Sequence, residues 1–309
     1  MANSILSAPQ FHSEEAAFAY VEARLWPSGP VCPHCEATGD KIGRLNGKTT
    51  RAGLRKCYAC RKPFTVRINT IFEDSHLPLR LWLQAIHLMC ASKKGISTRQ
   101  LQRTLGCGMK TAWHLGHRIR LAMDPIVNGP LGGEGKTVEA DETAITYSRK
   151  TNKGPGRKRP KAHVLSLVER GGSIRSMSLD HKSVGPLLYQ HVHEQSRLVT
   201  DKAQHYKHPP VALAESVDHS KFEWARGDVH VNTLEGFFSI FKRGLIGVYH
   251  HMDKRHLERY LAEFDFRMNN RAKLGINDVQ RADLALQGVK GKRLTYRTTD
   301  FGPGLGAMA

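Results

Sequence analysis

Two C-x-x-C pairs constrain the N-terminal part of this chain more tightly than any other feature. Cys32 and Cys35 form C-P-H-C, Cys57 and Cys60 form C-Y-A-C, and 21 residues lie between the pairs. Thiols spaced in this way predict a tetrahedral zinc site in a reducing compartment. Each knuckle turns two thiolates toward one ion, and the segment between them forms the hairpin of a zinc ribbon. Four thiolates leave no open coordination position, so this zinc is expected to be structural. The alternative is two redox pairs, but no thioredoxin-like βαβ pattern surrounds either. Cys90 and Cys107 lie in apolar helical patterns and are expected to be buried small hydrophobes.

Charge narrows the partner. The 309 residues include 47 Lys and Arg against 28 Asp and Glu, a formal net charge of +19. The excess runs along nearly the whole chain, which points to a polyanion, nucleic acid being the commonest. A membrane partner is not expected, because no stretch approaches the roughly 18 apolar residues of a spanning helix. The start, M-A-N-S-I-L-S-A-P-Q, lacks the basic and apolar segments of a signal peptide, so the expected location is the cytoplasm.

Periodicity then divides the chain. Ser13 caps a short helix with acids in its first turn. From Pro78 the pattern is helical. I-S-T-R-Q-L-Q-R-T-L-G, the turn C-G-M-K and T-A-W-H-L-G-H-R-I-R-L-A-M follow one another in the manner of a helix-turn-helix. A plain helical linker bundle is the other reading. Lys110, His114, Arg118 and Arg120 are expected to be exposed on the second helix and to contact DNA. Beyond residue 128 the period becomes that of strands. T-V-E-A-D-E-T-A-I carries Asp141, and Glu139 and Glu142 beside it are read as secondary, turned away from it along the strand. A basic loop with Arg157, Lys158 and Arg159 follows, suited to phosphates or simply solvated. Then come a hairpin across Gly171-Gly172, a helix, a strand R-L-V-T-D ending at Asp201, and a further strand near Val217.

The segment V-N-T-L-E-G-F-F-S-I-F-K-R-G is amphipathic. At about 3.6 residues per turn, Asn232, Glu235, Ser239 and Lys242 share one face, opposite Leu234, Phe237, Phe238 and Phe241. Strand-borne Asp141 and Asp201 with helix-borne Glu235 form the kind of hard-oxygen set that Mg²⁺ or Mn²⁺ takes in phosphoryl transfer.

On these residues the chain resembles the bacterial insertion-sequence transposases that join a zinc ribbon and a helix-turn-helix to a DDE-type, RNase-H-like (integrase-like) domain. C-P-H-C and C-Y-A-C, V-E-A-D-E-T, L-V-T-D, H-V-N-T-L-E-G-F-F-S-I-F-K-R-G and the following H-H-M-D-K-R-H-L-E-R-Y-L-A-E-F-D-F-R-M-N-N-R carry the likeness, from about residue 10 to 285. It implies an α/β fold: an RNase-H-like mixed sheet flanked by helices, preceded by the ribbon and a helical DNA-binding region. The implied division is 1–29 N-terminal helix, 30–72 ribbon, 73–127 DNA-binding region, 128–288 catalytic domain and 289–309 flexible tail.

By the resemblance Asp141, Asp201 and Glu235 would hold Mg²⁺ or Mn²⁺, and Lys242 would lie beside the scissile phosphate. Asn232 competes with Glu235 for the third place; a carboxylate binds Mg²⁺ better than an amide. The implied partners are double-stranded DNA, as terminal inverted repeats and target, and further copies of the chain in a synaptic complex. A DNA-binding repressor that has lost catalysis and a nuclease of the same fold are the alternatives.

Overall fold

The computed structural model describes residues 4–124, 129–146, 161–179, 183–201, 206, 209, 211–250 and 252–295. Arg157, Lys158 and Arg159 therefore lie outside the described residues.

Helix α1 (Glu14–Leu25) opens as expected, with the Ser13 hydroxyl accepting from the Ala16 amide at 3.2 Å. Glu14 does more than favour its own helix dipole. Its carboxylate accepts from the Leu79 and Arg80 amides at 2.7 and 3.1 Å. Helix α2 (Leu79–Ala91) follows Pro78, which has no capping side chain, so the acid of α1 satisfies the exposed amides and fixes the two helices together.

Between them stands a three-stranded antiparallel sheet of β1 (Ile42–Arg44), β2 (Arg55–Cys57) and β3 (Pro63–Phe64). An Arg55–Glu22 ion pair at 2.6 Å and an edge-on Trp26–Phe64 contact tie it to α1.

Helices α3 (Thr98–Leu105) and α4 (Met109–Met123) are joined by a three-residue turn. Gly106 ends α3 at φ 63°, a left-handed conformation that glycine adopts without a Cβ penalty. The core of this helical body gathers Trp82, Ile86, Met89, Leu101, Leu115, Ile119 and Met123. Ala285 and Leu286 of α8 (Asp278–Gln287) belong to the same core, so the last helix packs back onto the N-terminal ones.

Two expectations fail here. Arg118 and Arg120 are buried, 5% and 3% exposed, and are not DNA-facing. α4 packs against α2, α3, α8 and the helix at Leu257–Asn269, so Arg118 and Arg120 meet protein rather than solvent. Arg118 donates to the Glu73 carbonyl at 2.5 Å and lies over the Trp82 ring. Arg120 pairs with Glu263 at 2.6 Å. Lys110 is exposed and His114 is half-buried. Nor do the residues after 288 fray at once. Val289 is fully buried and accepts from the Ile71 amide at 3.2 Å, while the Gly291 amide donates to Asn69 at 2.8 Å.

The second half is a five-stranded mixed sheet: β4 (Thr137–Thr146), β5 (Lys161–Glu169), β6 (Ile174–Ser178), β7 (Arg197–Asp201) and β8 (Leu213–Val217), in the order β6-β5-β4-β7-β8. β4, β5 and β6 pair antiparallel, and β7 and β8 add in parallel. Alternation along β4 and β5 feeds two cores. Val138, Ala140, Leu165 and Leu167 meet Leu187 and Leu188 of α5 (Val184–His191) on one face. Ile145, Val164 and Val168 meet Leu234, Phe237, Phe238, Phe241 and Phe264 on the other, from α6 (Asn232–Gly244) and α7 (Leu257–Asn269). The fold is thus mixed α/β, with helices on both faces of the sheet.

Helix α7 joins the two halves, packing on both α4 and β6. Fully buried Glu263 accepts from Arg120 and from the Tyr249 hydroxyl at 2.6 Å each and also pairs with Arg267. Burial raises the cost of its charge, and the Arg120 and Arg267 guanidiniums still hold its carboxyl below the usual range. Glu263→Ala would strand two buried cations. A loss of about 3–5 kcal/mol is expected, read as a lower urea midpoint at unchanged slope; a loss under roughly 1 kcal/mol would mean that Arg120 and Arg267 find other partners.

Candidate functional site

The four expected zinc ligands converge. The sulfurs of Cys32, Cys35, Cys57 and Cys60 all lie within 4.8 Å of one another, with Cys32–Cys60 at 3.7 Å and Cys35–Cys57 at 3.6 Å. A tetrahedron with metal–sulfur bonds of about 2.3 Å has edges of roughly 3.8 Å, so the cluster already has the size of a zinc site. The backbone N–H of Cys60 points at the Cys57 sulfur and brings that thiol down to about 7. Cys35 receives the Ala37 amide, which favours its thiolate, yet burial and hydrogen bonds with Cys60, Cys32 and Cys57 push it up to about 12. A divalent ion replaces the shared protons of such a cluster. His34 is exposed, and the four thiols suffice without it.

The second site forms at the C-terminal end of β7, where its parallel neighbour β4 continues past it. Thr200 is paired with Ala140, so Asp201 and Asp141 are the next residues on adjoining strands. Glu235 lies in the first turn of α6, on the face of the sheet that carries Asp141. Burial pushes the Asp141 carboxyl up to about 7, although the Glu142 amide bonds to it at 2.7 Å; the charges of Asp201, Glu142 and Glu235 push the same way. Carboxylates gathered in this way repel one another, and a divalent ion bound by hard oxygen donors relieves that repulsion. Among the described residues only the thiols lie within 4.8 Å of one another as a set; the carboxylates are more widely spaced.

Without metal, the folded chain holds a proton on Asp141 between pH about 4 and 7 that the unfolded chain has released. Asp141 therefore makes stability fall as pH rises through this window. With zinc bound and Mg²⁺ and Mn²⁺ left out, urea midpoints should decline from pH 5 toward 8 less steeply in Asp141→Asn than in the parent. Equal slopes would show that the carboxyl titrates normally.

The polar strip on α6 is as the sequence reading has it. Asn232, Glu235, Ser239 and Lys242 are exposed, while Leu234, Phe237, Phe238 and Phe241 are buried. Lys242 stands two turns from Glu235, about 10 Å along the axis. Asn232 is the first residue of the helix, with its side chain exposed.

Glu139 is not turned away from Asp141. It shares a face with Asp141, since residues two apart on a strand point the same way. Fully buried, it accepts from the Thr233 and Leu234 amides at 3.0 and 3.3 Å and from the Thr233 hydroxyl at 2.9 Å, and pairs with Arg170 at 2.8 Å. α6 has no cap from the residue before it, and Glu139 of β4 supplies one. The strand with Asp141 and the helix with Glu235 are thus fastened together by one carboxylate. Glu142 points to the opposite face, where Tyr206 feels its charge and those of Asp141 and Asp201. No sequence pattern marks Tyr206. A four-thiol cluster thus precedes the helical body, and the mixed sheet after it carries two acids where β7 ends beside β4, with a further acid on the helix packed across that face.

Comparison with known proteins agrees. The ISXO2-like transposase domain matches residues 130–269 and the transposase zinc-ribbon domain matches residues 12–63, together more than half of the chain. The chain belongs to these zinc-ribbon transposases. It is 26% identical over 276 residues to "Uncharacterized protein in transposable element ISH50" of Halobacterium salinarum, a match covering 83% of this chain and 91% of that protein.

Proposed function

We propose that the protein is a DNA transposase that binds the terminal inverted repeats of its element and performs metal-dependent phosphodiester hydrolysis and strand transfer. One observation carries this reading: Asp141 and Asp201 follow the paired residues Ala140 and Thr200 on neighbouring strands, and Glu235 stands in the first turn of the helix packed on the face that carries Asp141. The strand order β6-β5-β4-β7-β8, three antiparallel strands followed by two parallel ones, supports an RNase-H-like domain. The α3–turn–α4 unit with exposed Lys110 supports a helix-turn-helix role, for which His114 is a second contact. The basic stretch with Arg157, Lys158 and Arg159 is proposed to hold phosphates.

Asp141, Asp201 and Glu235 would hold Mg²⁺ or Mn²⁺, with Asn232 the alternative third ligand. Such ions, when bound, activate the attacking oxygen and stabilise the leaving one. The chain's own groups do the rest. Lys242 projects from the same face of α6 as Glu235 and offers a cation to the negative charge that builds on the scissile phosphate. The Phe side of α6 holds that face against the sheet, and buried Glu139 fixes its first turn. Water attacks the phosphodiester at the element end and frees a 3′-hydroxyl. That hydroxyl attacks a target phosphate in the second step and displaces a target 3′-oxygen, with no covalent protein intermediate. Two ends must meet, so the working form is proposed to be a homo-oligomer.

The test uses a plasmid with the gene's native flanking DNA, the full chain and Mg²⁺ or Mn²⁺. The parent should yield nicks with free 3′-hydroxyls at the element ends, and joined products. Asp141→Asn should lose both by roughly 10²–10³-fold or more while still binding the ends. Binding without metal-dependent cleavage would instead identify a repressor, and cleavage without joining a nuclease.

A further inference from the structure

The loop from β8 to α6 carries two large, exposed aromatics. Phe222 is 82% exposed and Trp224 58%. Phe222 also sits at φ 60°, a left-handed conformation that a bulky residue adopts only at some cost. The loop is built to keep it there. Asp218 accepts from the Ser220 amide at 3.1 Å and the Ser220 hydroxyl at 2.5 Å, and its carbonyl accepts from the Lys221 and Glu223 amides at 3.0 and 3.2 Å. The Glu223 carboxylate closes the ring by accepting from the Asp218 amide at 3.1 Å. On the far side, the Arg226 guanidinium returns to the Ser216 carbonyl at 3.2 Å.

The position of this loop matters as much as its exposure. Val217, the last residue of β8, is paired with Asp201. The loop therefore starts about one strand spacing, roughly 4.8 Å, from the β7 backbone at the acidic cluster. Both ends of Asp218–Arg226 are held at the level of Ser216 and Val217. Lys221 is exposed beside the aromatics, as is Arg226, which also pairs with Glu223 at 3.5 Å, in a chain of net charge +19. Aromatic faces framed by cations are how proteins hold unpaired bases, because stacking accepts any base and the cations take the phosphates.

We propose that Phe222 and Trp224 form a stacking platform for unpaired bases of the DNA strand next to the cut. This rests on the transposase reading above and adds to it a preference for DNA that is already open at the element end. The loop holds the strand splayed while its phosphate lies at Asp141 and Asp201.

The test compares two fluorescent DNAs by anisotropy, with the full chain loaded with zinc and with Ca²⁺ in place of Mg²⁺. One is a blunt duplex of the element end and the other the same sequence forked by terminal mismatches. The parent should bind the fork roughly tenfold more tightly, as one base–aromatic stack contributes. Phe222→Ala with Trp224→Ala should abolish the preference while leaving blunt-duplex affinity and the melting temperature unchanged, and Phe222→Trp should keep it. Equal binding of both DNAs by the parent, or a preference that survives in the double variant, overturns the platform alone. The same holds if the double variant loses blunt-duplex binding as well, or changes only the sedimenting species, since a second copy of the chain would then cover the aromatics. Failure of the parent to bind either DNA overturns the transposase reading, and this one with it.

Discussion

Glu139→Ala should cost the protein both stability and cleavage. The carboxylate is fully buried and serves four groups: the Thr233 and Leu234 amides, the Thr233 hydroxyl and Arg170. Arg170 also donates to the His230 carbonyl at 2.8 Å, so it cannot swing away without losing a second bond. Truncation leaves a guanidinium without its anion and two helix-terminal amides without acceptors. A loss of about 3–5 kcal/mol is expected, the usual result of removing one partner from a buried pair. The consequence for function is separate from the loss of fold. α6 would no longer be tied to β4 at its first turn, where Glu235 stands, and reacting groups displaced by about 1 Å can lose roughly a hundredfold in rate. Glu139→Gln keeps the shape and one acceptor, and should fall between parent and Ala in both measures. Urea unfolding gives the first quantity; nicking of native-flank plasmid, at a temperature where all three are folded, gives the second. If Glu139→Ala unfolds within about 0.5 kcal/mol of the parent and nicks at its rate, α6 is held in place by its Phe face alone.

The contrast between Glu139 and Glu235 shows where the sequence is legible. Glu235 is read from helical period alone, because its neighbours Leu234, Phe237, Phe238 and Phe241 are apolar and bury as the period requires. The thiol pairs are equally plain, since a chemical requirement fixes their spacing. Glu139 is harder, because its partners are 94 and 95 residues away and a strand pattern does not record which helix end will lie above it. The same limit explains Arg118 and Arg120. Arg120 reads as exposed until α7, 143 residues on, places Glu263 beside it. Local pattern thus identifies elements and their apolar faces, while buried charge depends on pairings that only the assembled fold reveals. Phe222 and Trp224 escape for the opposite reason: an aromatic in a loop sequence looks like core until the fold leaves it exposed.

Removing zinc should unfold the ribbon and leave the rest of the chain standing. The ribbon's strands are three, three and two residues long, and its buried apolar cluster is Cys32, Cys57 and Phe64 with partly buried neighbours such as Trp26 and Ile42. So little apolar burial does not offset the ordering of about thirty residues. The metal must supply the difference, and structural zinc contributes about 10–16 kcal/mol at neutral pH. The damage should stop at α1. That helix is held from its other side by Tyr20 and Arg24 on Asp283 at 2.6 and 2.5 Å, and by Glu14 on the start of α2. Hydrogen exchange after chelation should therefore lose protection in 32–64 and keep it in α2, β4 and β5, with zinc restoring the pattern. End-DNA binding should weaken in the chelated protein while nonspecific duplex binding persists, because the positive charge is spread over the whole chain. Protection that survives in 32–64 after metal analysis shows zinc gone would remove the ribbon's dependence on metal. The thiol cluster would then have to be read as a set of packed cysteines, with α1 and the Arg55–Glu22 pair carrying the fold of the ribbon.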